Sequence, residues 1–311
     1  MMCRILCALV LTLAFSSNAE TPSRPPPSRE ELVALGQRLF FDKRLSGDNT
    51  VSCASCHDPA RAFSDGKRTS VGVSKRALRR NTPALWNLEG RAPYFWDGRA
   101  ATLEAQALMP LSNPDEMGAD LAALPAELSA DAEYRKHFAR VFPGEGVSAS
   151  TLARALAAYE RTLVSRSSPY DRYLEGEREA LTEQQRQGLV LFNGKAECMV
   201  CHNGPDLTDN QFSRVGLVSD DPGRAAIDPV SGPRGGFKTP SLREVSRTAP
   251  YFHDGSAASL EEVVEHYVRG GNATVERDIH PLELTKDEKA ALVAFLRALS
   301  SSRQTGLGDK E

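Results

Sequence analysis

Apolar residues recur at helical spacing along most of the chain. Leu152, Leu156, Tyr159 and Leu163 stand three or four positions apart and mark one face of a helix. Leu292, Phe295, Leu296 and Leu299 mark another, entered through Thr285-x-x-Glu288, whose residue types form a capping box. Two more boxes, Ser28-x-x-Glu31 and Thr182-x-x-Gln185, open helices with matched contents: Gly36 with Phe40, and Gly188 with Phe192. No stretch alternates apolar and polar residues as a strand does. The pattern predicts an all-α fold with long loops and little strand.

One apolar run differs from these. Ile5 to Phe15 follows Arg4 and precedes Ser17-Asn18-Ala19, the order of a secretory signal peptide cleaved near Ala19. The run is too short to cross a bilayer, and no other stretch approaches twenty apolar residues, so no membrane span is expected. A periplasmic location follows for residues beyond 1–19. Residues 20–29, rich in proline, read as an extended linker.

The chain also repeats itself. Residues 82–104 align without a gap onto 239–261, with thirteen identities in twenty-three. Two copies predict an internal duplication rather than a solenoid. The expected organisation is one domain over 30–168, a second over 169–302, and a tail at 303–311. The Gly- and Pro-rich stretch 203–237 is expected to be a surface loop beside the second site.

Charge excludes more than it identifies. The 311 residues carry a formal net charge of −3 and no basic run, so neither nucleic acid nor an anionic membrane is an expected partner. Cysteine is more informative. Loss of the leader removes Cys3 and Cys7 and leaves four, which in an oxidising compartment would ordinarily form two disulfides. Their spacing points elsewhere: Cys53, Cys56 and His57 form one CxxCH unit, and Cys198, Cys201 and His202 form another, the signature of c-type haem attachment. A zinc site would need a second ligand pair at suitable spacing and no adjacent histidine. Two covalently bound c-type haems are predicted, with His57 and His202 as proximal ligands.

For a second ligand on the C-terminal haem, methionine is excluded from the downstream chain, since none follows His202. His253, His266, Tyr267 and His280 remain. His253 falls in the repeated "PYFxDG" stretch opposite Trp96, which gives it an architectural reading. His266 and Tyr267 are neighbours on the helix begun by "SLEE" and point about 100° apart, so at most one faces the iron. His137 and His280 read as surface residues.

In order along the chain, CxxCH, "NTPALWN", "PYFWDGRAATLEAQAL", "NPDEMG", the second CxxCH, "FKTPSL", "TAPYFHDGS" and "LEEVVEHY" resemble the bacterial di-haem cytochrome c peroxidase and MauG family, over about residues 30–300. The resemblance implies two cytochrome c-like domains, a peroxidatic haem in the first and an electron-transfer haem in the second, with hydrogen peroxide as substrate. It puts Tyr267 at the sixth-ligand position, which is Met in the peroxidases and Tyr in MauG-like members. The repeat equates Tyr267 with Pro110, which has no ligating atom, and no histidine lies between His57 and His137. The first haem is therefore expected to keep an open face without prior activation.

The same resemblance matches Glu116 to the family's catalytic glutamate, Gln106 to its distal amide and Trp96 to an electron relay between the haems. Asp115 and Glu104 have no such match, and Trp86 reads as packing. A carboxylate suits the proton shuttle that splits a peroxide bond. The resemblance further implies one Ca²⁺ held by Asn81 and by backbone oxygens of Thr248 and Pro250, donors that calcium accepts. The electron donor is either a small redox protein, a cytochrome c or cupredoxin, or a protein substrate. A phenolate ligand favours oxidised iron, which leans toward the MauG-like case. The rival is a non-catalytic di-haem electron carrier, which requires a second axial ligand on both haems.

Overall fold

The computed structural model describes residues 26–301. The expected leader with its cleavage point, most of the linker and the tail lie outside the described residues.

Among the described residues the first half contains α1 (Arg29–Phe41), α2 (Cys53–Cys56), α3 (Leu103–Ser112), α4 (Leu124–Ala130), α5 (Ala132–Val141) and α6 (Ala149–Glu160). The second contains α7 (Pro169–Leu174), α8 (Glu183–Asn193), α9 (Leu260–Val268) and α10 (Lys286–Arg297). One antiparallel pair, β1 (Phe212–Ser213) with β2 (Phe237–Lys238), is the only sheet among them. The fold is all-α with little strand, as the periodicity predicts. No described helix is long and apolar enough to cross a membrane.

All three capping boxes form, at Ser28, Thr182 and Thr285. Each satisfies two amide donors that a helix start otherwise leaves open. The helical faces end slightly early: Leu163 and Leu299 lie beyond the ends of α6 and α10. Both are buried all the same, because tight turns at the two C-termini fold the chain back under its own helix, with Leu163 N–H donating to Glu160 O and Leu299 N–H to Leu296 O.

Each half has its own core. In the first, α1 crosses α6 at Gly36, where an added methyl group would overlap the Ala155 carbonyl, and Phe40 meets Tyr159 edge to face at 5.1 Å. In the second, α8 crosses α10 at Gly188 against the Ala291 carbonyl, and Phe192 meets Phe295 at 5.2 Å. Glycine is required at both crossings because the helix backbones touch there, and the aromatic pairs seal the seam beside them.

The repeated segments fold alike. Tyr94 N–H donates to Ala100 O at 2.7 Å and Tyr251 N–H to Ala257 O at 2.7 Å. Their hydroxyls reach Leu88 O and Val245 O, both at 2.9 Å. Phe95 and Phe252 share a left-handed φ, 70° and 69°. The copies also clasp each other: Asn81 N–H donates to His253 O at 2.7 Å, and its counterpart Lys238 N–H donates to Trp96 O, the counterpart of His253 O, at 2.8 Å.

The stretch 203–237 is the expected loop, mostly at the surface, but it is pinned inward at a few residues. Leu207 and Phe237 are buried, and Asp221 is held inside by Arg80, whose guanidinium also bonds Asp97 at 2.6 Å. Two buried carboxylates around one guanidinium draw the loop inward.

Candidate functional site

A hollow of about 880 Å³ runs between the halves, lined by Cys53, Cys56 and His57 from one and Cys198, Cys201 and His202 from the other. Each CxxCH unit winds into a single turn, closed by His57 N–H to Cys53 O and by His202 N–H to Cys198 O, both 2.9 Å. That turn brings both thiols and the imidazole to one wall. Among the described residues none of the four cysteines forms a disulfide. Burial pushes the Cys53 thiol well up and the Cys198 thiol to about 12, so both are neutral thiols.

The two imidazoles are oriented identically. His57 Nδ1 lies 3.0 Å from Phe63 O, and His202 Nδ1 lies 3.0 Å from Leu207 O. Burial pulls both pKa values down, so each ring is neutral, with Nδ1–H donated to the carbonyl and the Nε2 lone pair left for a metal. Phe63 and Leu207 both adopt a left-handed φ, 57° and 53°, a cost of about 1–2 kcal/mol each that both halves bear to bring a carbonyl to the ring. Paired thiols, a neutral imidazole and an apolar hollow fit a haem, and both halves supply them.

The neighbours on α9 diverge as their 100° separation requires. His266 is buried with Nε2 2.6 Å from Val215 O, so its ring is committed to the 203–237 stretch. Tyr267 instead lines the hollow beside Cys198 and Cys201, where burial pushes its phenol well up and the two sulfurs add to the effect. In the first half Pro110, within α3, lines the hollow at the equivalent position. His253 stacks on Phe237 at 3.6 Å, and burial lowers its imidazole to about 4. His280 is largely exposed at the rim, 3.7 Å from Glu197.

Gln106 and Glu116 reach the hollow from α3 and the turn behind it. Thr102 caps the start of α3 by accepting from Ala105 N–H, and Asn113 closes its end. Asn113 then organises the turn, with Oδ1 accepting from Asp115 N–H at 3.0 Å and Nδ2 donating to Glu116 Oε1 at 2.7 Å. The segment 72–76 clamps it from outside: Val73 N–H donates to Glu116 O at 2.8 Å, Gly72 lies flat on the Asp115 and Glu116 carbonyls, and Arg76 pairs with Asp115. Burial raises the Glu116 pKa, opposed by the Asn113 bond and the Arg99 charge. Gln106 Oε1 is buried with no hydrogen-bond partner, an acceptor facing the same space. Glu104 is instead paired with Arg161 at 2.8 Å.

Trp96 is anchored at both ends: Nε1–H donates within its own half to Asn81 O at 2.9 Å, and its backbone carbonyl accepts from Lys238 N–H of the other half. Trp86 is buried edge-on to Phe63, as packing predicts. Asn81, Thr248 and Pro250 all line the hollow, and Asn81 Nδ2 donates to Lys67 O at 2.9 Å and Arg68 O at 3.3 Å, which commits the nitrogen and leaves Oδ1 for other use. Among the described residues no three or more His, Cys, Asp or Glu side chains gather as a metal site; the expected calcium donors are instead amide and carbonyl oxygens.

Sequence reasoning missed two residues here. Asn113, three positions before Glu116 at the end of α3, carried a legible signal in its helix-ending position. Glu160 did not: it lines the hollow from α6, 5% exposed, with Oε2 unpartnered and its carboxyl raised by burial to about 8.

Comparison with known proteins bears on the whole arrangement. Residues 30–179 match the family model described as di-haem cytochrome c peroxidase. The methylamine utilization protein MauG of Methylorubrum extorquens is 41% identical over 88% of this chain and 80% of its own length. The cytochrome c551 peroxidase of Nitrosomonas europaea is 35% identical over 89% and 82%. Among solved structures, a MauG-like protein associated with microbial copper homeostasis superposes with a TM-score of 0.82 and 36% identity, over 93% of this chain and 97% of that one.

Proposed function

For a chain that belongs to the di-haem cytochrome c peroxidase family and is a peroxidase-type oxidoreductase, we propose a MauG-like division of labour between unequal halves. Cys53 and Cys56 attach one haem covalently with His57 as its proximal ligand; Cys198, Cys201 and His202 do the same for the other. Tyr267 would add a protein ligand to the C-terminal haem, whereas Pro110, with no ligating atom, would offer none to the N-terminal haem. When bound, the haems supply the electrons that reduce hydrogen peroxide to water.

The chain's own residues handle protons and position. Glu116, as carboxylate, takes the proton from the inner oxygen of the peroxide and returns it to the departing oxygen, while Gln106 accepts a hydrogen bond that orients the substrate. Two electrons and two further protons complete the conversion to two waters. Trp96, whose backbone carbonyl is hydrogen-bonded across the join, carries charge between the halves. Asn81 Oδ1 with Thr248 O and Pro250 O holds one Ca²⁺ at the same join.

The observation that carries this reading is the contrast at equivalent positions: a phenol turned to the hollow in one half and a proline in the other. Tyrosine ligation favours a protein substrate as electron source over a small cytochrome or cupredoxin, since a hard oxygen ligand stabilises oxidised iron. The N-terminal run Ile5–Phe15 supports a periplasmic location. The test is an EPR spectrum of the resting oxidised protein followed by addition of peroxide. One high-spin and one low-spin signal, with a prompt optical change and no prior reduction, are expected; two low-spin signals and no response would refute the proposal.

A further inference from the structure

The repeat makes Asn81 and Lys238 equivalent residues, and likewise Arg91 with Thr248 and Pro93 with Pro250. Their main chains behave as equivalents, each donating to the other half's counterpart carbonyl, Asn81 to His253 and Lys238 to Trp96. Their side chains do not. Lys238 is buried, its Nζ donates to the carbonyls of Arg91 and Pro93, the latter at 2.7 Å, and the face of the Tyr94 ring lies 5.6 Å away. A lysine is almost never buried without partners. Here the partners are the two carbonyls whose twins by the repeat are Thr248 O and Pro250 O, the oxygens proposed above to hold calcium with Asn81.

We infer that the carbonyl pair Arg91–Pro93 is a second cation cage, the twin of Thr248–Pro250, and that the chain fills it permanently with its own Lys238 ammonium. Convergent backbone carbonyls suit an ammonium group, which has three donors and no acceptor, as well as they suit a hard metal cation. Asparagine adds a ligating oxygen and leaves the charge to be recruited; lysine brings the charge tethered. Burial and the Arg91 guanidinium work against that charge and pull the Lys238 pKa to about 7, while the two carbonyls and the Tyr94 ring offset them. One face of the join thus has a tethered amine that cannot diffuse away and is charged below a pKa of about 7, and the other depends on supply.

This inference rests on the reading of the Asn81 cage as a cation site, and the experiment separates the two. Haem-loaded parent, Lys238→Asn and Lys238→Met proteins are equilibrated with calcium, dialysed, and assayed for bound calcium per chain, then melted in chelator and in excess calcium. Lys238→Asn is expected to hold one calcium ion more than the parent, whatever the parent holds, and to melt lower than the parent in chelator but recover in calcium. Lys238→Met, which supplies neither oxygen nor charge, is expected to melt lower in both media and gain no calcium. Equal calcium in Lys238→Asn and parent, or a Lys238→Asn protein that calcium does not rescue, overturns the equivalence. A parent without calcium overturns the Asn81 reading alone, because the Lys238 result is read as a difference.

Discussion

Asn113 Nδ2 and Glu116 Oε1 lie 2.7 Å apart, so the carboxyl that faces the hollow is held by an amide three residues earlier in the chain. Burial raises the Glu116 pKa, and this bond pulls it back. As a base Glu116 acts in its ionised form, so the peroxide reaction is expected to rise with pH through the raised value. Glu116→Gln should slow it by about 10²–10⁴-fold with both haems retained. Asn113→Ala should slow it less and move the acidic limb of the rate profile to higher pH. Stopped-flow peroxide consumption across pH reads both, and an unshifted limb in Asn113→Ala would remove Asn113 from the account.

Tyr267→Phe keeps the ring and deletes the oxygen. The ring faces the hollow already, so the fold should survive with both haems attached. The low-spin EPR signal of the resting oxidised protein should convert to high-spin. Persistence of the low-spin signal would assign the ligand elsewhere.

Trp96→Phe removes the indole and leaves Asn81 O without its 2.9 Å donor. Loss of that bond should cost about 1–3 kcal/mol, visible as a lower denaturant midpoint. The proposed relay adds a second expectation: peroxide should still be consumed at the parent rate in a single turnover, while oxidation of an external donor slows by at least about tenfold. A merely structural role would slow neither selectively.

Glu160 predicts a pH dependence of stability. Its folded pKa of about 8 lies above the ordinary glutamate value of 4.5 because of burial. The stability it allows is therefore complete below pH 4.5 and is lost as pH rises through 8. Glu160→Gln should gain on the parent across that window, with a limiting slope of about 1.4 kcal/mol per pH unit. Chemical denaturation at intervals from pH 5 to 9 measures the difference; parallel curves would contradict it.

Much of the fold was legible because its signals are local. Capping boxes, helical spacing and the repeated twenty-three residues each depend on neighbours in the chain, and each is present in the structure. The hollow's chemistry was legible where a motif carries it, as with the two CxxCH units. The choice between His266 and Tyr267 was legible only through the family resemblance, since helical geometry says merely that two neighbours diverge; in the structure the Val215 carbonyl, 51 residues away in the chain, holds the His266 ring aside. Arg80 with Asp221, the Lys238 cage and Glu160 escaped for the same reason, because each is defined by partners on distant segments. Leu163 and Leu299 show the converse, apolar spacing running on past a helix whose hydrogen bonds have ended.

The close crossings at Gly36 and Gly188 give each half a separate keystone. A single methyl group at one of them is expected to wedge apart one helix pair and leave the other shut.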